Sequence, residues 1–113
     1  MMDGIYSAVF ASNNNMMGSG IAIFSGGTVY GGDSAFYYRG KFRLDDKKQI
    51  SATIEVFKHT DILNSVFGPL NSFKLILNGV ESSQGFTLSG PREGQPTNLI
   101  TIALKRVDDL IEA

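Results

Sequence analysis

Residues 49–58 carry the pattern that most constrains the fold of this chain. In this segment apolar and polar side chains alternate, and the apolar positions are Ile50, Ala52, Ile54 and Val56. An alternation with a period of two predicts a β-strand with one face in a hydrophobic core. Seven further segments have the short length and the flanking turn residues of strands. The predicted strands are residues 3–11, 18–25, 28–30, 31–43 with its glycine turn, 49–58, 71–80, 84–90 and 97–107.

Eight short strands joined mainly by tight turns favour an antiparallel sheet in up-and-down order. Eight is also about the number of strands at which such a sheet closes into a small barrel, which removes both sheet edges. The length of 113 residues is common for a single domain. We therefore predict an all-β protein in which residues 1–113 form one eight-stranded antiparallel barrel.

The strand pattern is interrupted between residues 59 and 69. Thr60 or Asp61 can cap the start of a helix, and Gly68-Pro69 is a typical stop signal. Between these signals lies an apolar stripe made of Ile62, Leu63, Val66 and Phe67. The segment predicts one or two helical turns, a short helical insert that closes one end of the barrel.

The first predicted strand is apolar on both of its faces. Ile5, Val9 and Ala11 share one face, and Tyr6, Ala8 and Phe10 share the other. A strand with this composition is expected to be covered on both sides.

Composition argues against several kinds of chemistry. Ten basic and eleven acidic residues give a net charge of −1, so direct binding to nucleic acid is not expected. The absence of cysteine excludes disulfides, thiolate catalysis and thiolate-bound metals. His59 is the single histidine, and no nucleophile, base and orienting acid stand at a recognisable spacing. We therefore predict no metal site, no cofactor and no enzymatic activity.

Targeting signals are also missing from the sequence. The N-terminus lacks the basic start and apolar core of a signal peptide, and no apolar run approaches the roughly 20 residues of a membrane span. These features, with the lack of cysteine, predict a cytoplasmic protein that does not contact a membrane.

The inward-facing side chains of the predicted strands have two interpretations. They can fill a closely packed core, or they can line a cavity for a small apolar ligand. Tyr38 is informative, because a buried phenol must find a hydrogen-bond partner. The candidate cavity residues are Phe36, Tyr38, Ile54, Leu75 and Phe86.

Charged residues cluster between positions 39 and 48. Arg39, Lys41 and Arg43 form a basic row with a period of two, which is typical of a solvated exterior strand face. Asp45 and Asp46 follow in a polar turn together with two lysines, and their spacing alone favours a solvated hairpin tip.

Several short motifs stand in the first half of the chain, namely Asp3-Gly4-Ile5-Tyr6-Ser7, Ser12-Asn13, Gly18, Gly20, Gly31-Gly32-Asp33, and Tyr38 followed by Gly40. Taken together, these motifs resemble the GrlR family of bacterial type III secretion regulators. The resemblance implies a small lipocalin-like (calycin) barrel that forms a homodimer in the cytoplasm. It also implies a repressor of virulence genes, which binds a transcription activator protein and does not touch DNA itself.

In that family an exposed loop carries four acidic residues that hold the activator. The matching positions here are Leu44-Asp45-Asp46-Lys47, so the chain keeps the middle pair only. The resemblance therefore implies that Asp45 and Asp46 bind the partner, with fewer charges for electrostatic complementarity than the family pattern has.

The start of the chain also resembles the calycin opening, in which a glycine precedes an aromatic residue that plugs the base of the barrel. Gly4 and Tyr6 stand at these positions, and Arg106 near the end of the last strand is the candidate cover. The chain has no tryptophan, and in this it departs from the calycin pattern.

Two functional hypotheses result. The first is a non-enzymatic regulatory protein that binds a transcription activator through the Asp45-Asp46 loop. The alternative is a carrier or sensor that holds a small apolar ligand inside the barrel. The size of the interior cavity distinguishes them, because the alternative needs room for a ligand.

Overall fold

The computed structural model describes residues 3–13, 17–60 and 72–111, and these form a closed antiparallel β-barrel. Each strand pairs with the next one along the chain, and the last strand pairs with the first. The prediction of an all-β, eight-stranded, up-and-down barrel is confirmed. The strands are β1 (Gly4–Ser12), β2 (Met17–Ser25), β3 (Thr28–Gly32), β4 (Phe36–Leu44), β5 (Gln49–Lys58), β6 (Ser72–Glu81), β7 (Gly85–Arg92) and β8 (Gln95–Asp108).

No helix occurs in the described residues. The helical insert predicted between residues 59 and 69 lies almost entirely outside them, since only His59 and Thr60 of that segment are described. Over the described ranges, no helix has the length and apolar character that crossing a membrane requires.

The alternation in β5 sets which side chains enter the core. Ile50, Ala52, Ile54 and Val56 are all buried, as predicted. Full burial of an aliphatic side chain of this size stabilises the fold by roughly 1.5–3 kcal/mol. In the last three strands, the alternation predicts Phe73 and seven further residues as inward-facing, and Phe73 packs against the core but is only partly buried. The seven residues buried in the same core are Leu75, Leu77, Phe86, Leu88, Ile100, Ile102 and Leu104.

The loop predicted at residues 91–96 is shorter in the structure. Arg92 pairs with Gln95, so Glu93 and Gly94 alone form the turn between β7 and β8. The strand register shifts between Pro91 and Arg92. Residues at a bulge do not take part in the hydrogen bonds between strands, so a proline, which has no backbone N–H, is tolerated there. Pro91 and Pro96, the two prolines of the predicted loop, lie within strands.

The two ends of the barrel differ in what they contain. We call one end the base, made of residues 3, 26–27, 45–48, 81–84 and 106–111, where the first and last described residues and three turns meet. Hydrogen bonds join these segments, among them Gly26 N to Asp3 Oδ2 at 3.2 Å and Arg106 N to the Gln84 carbonyl at 3.0 Å. The opposite end, the rim, includes the Gly32-to-Phe36 turn and the Glu93-Gly94 turn.

The structure buries only one face of β1 completely. Tyr6, Ala8 and Phe10 are buried in the barrel, whereas Val9 on the other face is 45% exposed. Ile5 and Ala11 on that other face are half-buried. The expectation that this strand is covered on both sides therefore holds for the inner face, whereas the outer face is only partly covered within the described chain.

Two inward-facing glycines let neighbouring strands come close together. A Cβ atom on Gly40 would lie 2.1 Å from the carbonyl oxygen of Thr53, and one on Gly31 would lie 2.1 Å from that of Ile21. Both obstacles are backbone atoms, which cannot rotate away as a side chain can. The pairing of β4 with β5 therefore depends on the absence of a side chain at Gly40.

We expect Gly40→Ala to lower the free energy of unfolding by about 2 kcal/mol or more, because the new methyl group must push β5 away from β4. Urea unfolding followed by circular dichroism measures the change. Ser51→Ala, an exposed position on β5, is the control and should shift stability by less than about 0.5 kcal/mol. Equal stability of Gly40→Ala and the wild type would show that β4 and β5 can separate freely at this point.

Candidate functional site

The barrel interior brings together the residues predicted to line a cavity. Phe36, Tyr38, Ile54, Leu75 and Phe86 are all buried. Three of them, Tyr38, Ile54 and Leu75, line a cavity of about 40 Å³ whose surface is entirely apolar. A single water needs about 10–15 Å³ and an apolar cavity stays dry, whereas ligand pockets usually measure roughly 300–1,000 Å³.

Aromatic rings, together with aliphatic side chains, fill the rest of the interior. At the base, the ring centre of Phe86 lies 4.8 Å from that of Tyr6 and 5.1 Å from that of Phe24. Towards the rim, Phe36 packs edge-on against Phe73 with ring centres 6.0 Å apart. A ligand of ordinary size would have to displace several of these side chains.

Tyr38 has the hydrogen-bond partner that a buried phenol requires. Its hydroxyl donates to Asp33 Oδ2, while Asp33 Oδ1 accepts the backbone N–H groups of Ala35 at 2.8 Å and Phe36 at 2.7 Å. Burial, together with the adjacent carboxylate, raises the pKa of the Tyr38 phenol well above its usual value. The Gly31-Gly32-Asp33 motif thus shapes the β3–β4 turn and fixes a core side chain.

His59 lies beside this turn at the rim. Its backbone N–H donates to the carbonyl of Ala35 at 2.8 Å, and its Nε2 is 3.0 Å from the backbone carbonyl oxygen of Asp33. Both contacts involve backbone oxygens and tie the end of β5 to the β3–β4 turn.

Arg106 covers the base of the barrel, at the place that the calycin resemblance implies. Its guanidinium carbon lies 5.8 Å from the ring centre of Tyr6. Nη1 donates to the Asp3 carbonyl at 2.6 Å, and Nη2 donates to Asp109 Oδ1 at 2.5 Å. A Cβ on Gly4 would be 2.6 Å from Nη1, so the glycine leaves room for the guanidinium.

The Asp45-Asp46 turn joins β4 to β5 at the base, and its two carboxylates have different surroundings. Asp45 Oδ1 accepts the backbone N–H groups of Lys47 at 2.8 Å and Gln49 at 2.9 Å, so Asp45 holds the turn together. Asp46 is exposed, and none of the described side chains forms a hydrogen bond or ion pair with its carboxylate. Asp46 is therefore the residue of the pair that is available to a partner.

Further carboxylates lie at the same end of the barrel. The described residues of the base carry six acidic side chains and three basic ones. An open surface hollow of about 370 Å³ lies beside Asp45 and is lined in part by Leu44 and Asn78. The acidic side chains of the base are Asp3, Asp45, Asp46, Glu81, Asp108 and Asp109.

The outer surface of the barrel is divided into an uncharged part and a charged part. Residues 5–11, 17–25, 28–32 and 99–104 contain no charged side chain. Their outward positions form what we call the apolar face, which spans β8, β1, β2 and β3. Ile5 pairs with Ile23, Ile23 with Tyr30, and Val9 with Ala103. The exposed members of this face include Val9, Met17, Ile21, Ile23 and Tyr30.

No family model matches the chain, and no curated protein matches its sequence significantly. Within the described parts of the chain, no three histidine, aspartate or glutamate side chains converge in a way that would hold a metal ion. The candidate sites are therefore the acidic base, the apolar face and the closely packed interior.

Sequence reasoning identified the interior residues and the acidic turn but missed the apolar face. The available signal was that β1 and β2 carry apolar residues on both faces, such as Val9 and Ile21 facing outward. It also missed Phe10 and Phe24 as cavity-lining residues. The glycines of β2 obscured the alternation around Phe24, whereas Phe10 was placed on the face of Tyr6 and Ala8 but not assigned to a cavity.

We expect Tyr38→Phe to lower the free energy of unfolding at pH 7 by roughly 1.5–3 kcal/mol, since it removes a hydrogen bond to a carboxylate. Above pH 10 the unfolded wild type loses the phenol proton while the folded protein retains it. The contribution of Tyr38 then falls by about 1.4 kcal/mol per pH unit. The difference between wild type and variant should therefore shrink as the pH rises above 10.

Urea unfolding at pH 7 and above pH 10 measures this difference. Tyr37→Phe, which changes an exposed tyrosine on the same strand, is the control and should leave stability unchanged at both pH values. A wild-type-to-variant difference that stays constant across this range would contradict the raised pKa of Tyr38.

Proposed function

We propose that this protein is a non-enzymatic, cytoplasmic regulatory binding protein, which forms a homodimer and captures a transcription activator at its acidic base. The observation that carries the proposal is the division of its outer surface into an apolar face and an acidic base around a nearly filled interior. By its resemblance to the GrlR family, the protein would repress type III secretion and other virulence genes.

The small interior cavity favours a function on the outside of the barrel. A cavity of about 40 Å³ is several times smaller than the roughly 300 Å³ at which ligand pockets begin. The alternative of an apolar ligand near Tyr38 and Leu75 would need the barrel to open, with loss of the packing between its aromatic rings.

The acidic base suits a basic surface on the partner. Asp46 has a free carboxylate, and Asp108 and Asp109 at the end of β8 lie at the same end of the barrel. In this protein, carboxylates from several segments of the base can take the place of the four acidic residues that the GrlR family carries in one loop. Charges of one sign on one surface steer an oppositely charged partner and select against wrong ones.

The apolar face suits a second copy of the chain. An exposed apolar sheet surface without charge can meet itself across a two-fold axis with no like-charge repulsion. Ile21 and Ile23 on β2 and Val9 on β1 lie close to its middle. Dimerisation through this face would cover the outer side of β1, which is apolar but exposed in the single chain.

We expect Asp46→Lys to weaken capture of the activator by about tenfold or more, since the reversed charge would face the basic surface of the partner. The fold should be unchanged, because the Asp45 carboxylate maintains the turn. The tagged protein is used to capture partners from a lysate of its host, and mass spectrometry quantifies any transcription activator that is retained.

Glu93→Lys reverses an exposed acidic residue at the rim and is the matched control, which should retain the activator. If Asp46→Lys captures as much activator as the wild type, the base is not the binding site. If no transcription activator is retained by the wild type, the proposed function itself fails.

We expect Ile21→Lys to convert the dimer to a monomer, because it places two charges against each other at the centre of an apolar interface. Sedimentation velocity measures the oligomeric state. Ile76→Lys, which alters a similarly exposed isoleucine on the opposite side of the barrel (41% against 45% exposed), should remain dimeric. A monomeric wild type, or a dimer that persists in Ile21→Lys, would refute the interface.

A further inference from the structure

The outer side of β4 carries a basic surface that neither the acidic base nor the apolar face includes. We call it the basic face and define it by Arg39, Lys41 and Arg43 of β4, Lys74 of β6 and the flanking Tyr37. We propose that the basic face is a second binding surface, which takes an acidic segment of polypeptide in extended conformation. This inference is independent of the proposed function, which depends on other surfaces.

The charges of the basic face are only partly compensated. Arg39 lies 3.4 Å from Glu55, and both side chains are about half exposed. Lys74 lies 3.9 Å from Glu93. Lys41 and Arg43 are exposed, and no carboxylate in the described part of the chain comes within 4 Å of either cation. Lys41 in the middle of the row and Arg43 at its end nearer the base therefore offer two free cations to an anionic partner.

Aromatic rings hold one end of the row in place. The rings of Tyr37 and Phe57 are stacked with centres 5.3 Å apart and an angle of 22° between their planes. The guanidinium carbon of Arg39 lies 5.3 Å from the centre of the Phe57 ring. Tyrosine and arginine dominate the energetics of protein–protein interfaces, and side chains already ordered by stacking lose less entropy on binding.

A surface hollow beside the row provides a depression in which the partner can bind. Its volume is about 450 Å³, and it lies over the backbone of Gly40 between Tyr30 on one side and Lys74 on the other. Arg39, Lys41 and Thr53 also line it. Basic side chains, hydroxyl groups and an exposed phenol thus surround one shallow depression, together with one carboxylate, Glu55, which pairs with Arg39.

The spacing of the cations favours an extended peptide. Arg39, Lys41 and Arg43 alternate along one strand, so their Cα atoms are separated by about 6.8 Å. Acidic side chains at every second position of an extended peptide recur at the same interval. Nucleic acid fits less well, because the chain has a net charge of −1 and its base would repel a polyanion.

Fluorescence anisotropy with a labelled peptide of alternating glutamate and threonine tests the proposal. We expect saturable binding that weakens as salt is added. The double variant Lys41→Glu/Arg43→Glu should raise the Kd by about tenfold or more. Lys105→Glu, a change at an exposed lysine on β8 outside the basic face, should leave the Kd unchanged. Circular dichroism verifies that each variant is folded.

A labelled single-stranded oligouridylate is measured with the same proteins. If the acidic peptide does not bind, or if the double variant binds it as well as the wild type does, the proposal is overturned. Tighter binding of the oligouridylate than of the peptide, with loss in the double variant, would also overturn it and assign the face to nucleic acid.

Discussion

The pairing of β8 with β1 is the constraint on which the rest of the structure depends. These strands join from Ile5 and Asp108 at the base to Ser12 and Ile100 near the rim, and their pairing closes the sheet. A closed sheet has no edge strand to which another chain could add by backbone hydrogen bonds. Any partner must therefore bind to an outer face or to an end of the barrel through side chains.

Closure also separates the roles of the two sides of each strand. The inward side of the barrel is filled by aliphatic and aromatic side chains, and Arg106 over Tyr6 covers the base. The outward side is free of packing requirements, and here the chain distributes apolar and charged residues over different strands. The outward residues of β8, β1, β2 and β3 are uncharged over residues 99–104, 5–11, 17–25 and 28–32, whereas Arg39, Lys41 and Arg43 stand on β4. Each surface consequently suits a different kind of contact.

Much of the barrel could be predicted from the sequence, because the alternation of apolar residues is a local signal. The inward residues of β5 and the turn at Asp45-Asp46 are examples. The strand character of Pro91 was not predictable, because a register shift against β8 makes room for it. The hydrogen bond between Tyr38 and Asp33 was anticipated only as a need for some partner, since the turn geometry that brings the carboxylate to the phenol is not a property of composition.

The sequence by itself determined which segments are strands, which side of most strands faces inward and which chemistries lack the necessary residues. Only the tertiary structure decided how much space remains inside the barrel and which outward residues share a surface. Val9, Ile21 and Ala103 meet on one face because β1 pairs with both β2 and β8. Val9 and its partner Ala103 on β8 are almost a hundred residues apart in the chain. Alternation is set by neighbouring residues, whereas the registers that bring distant strands together result from closing and packing the whole barrel.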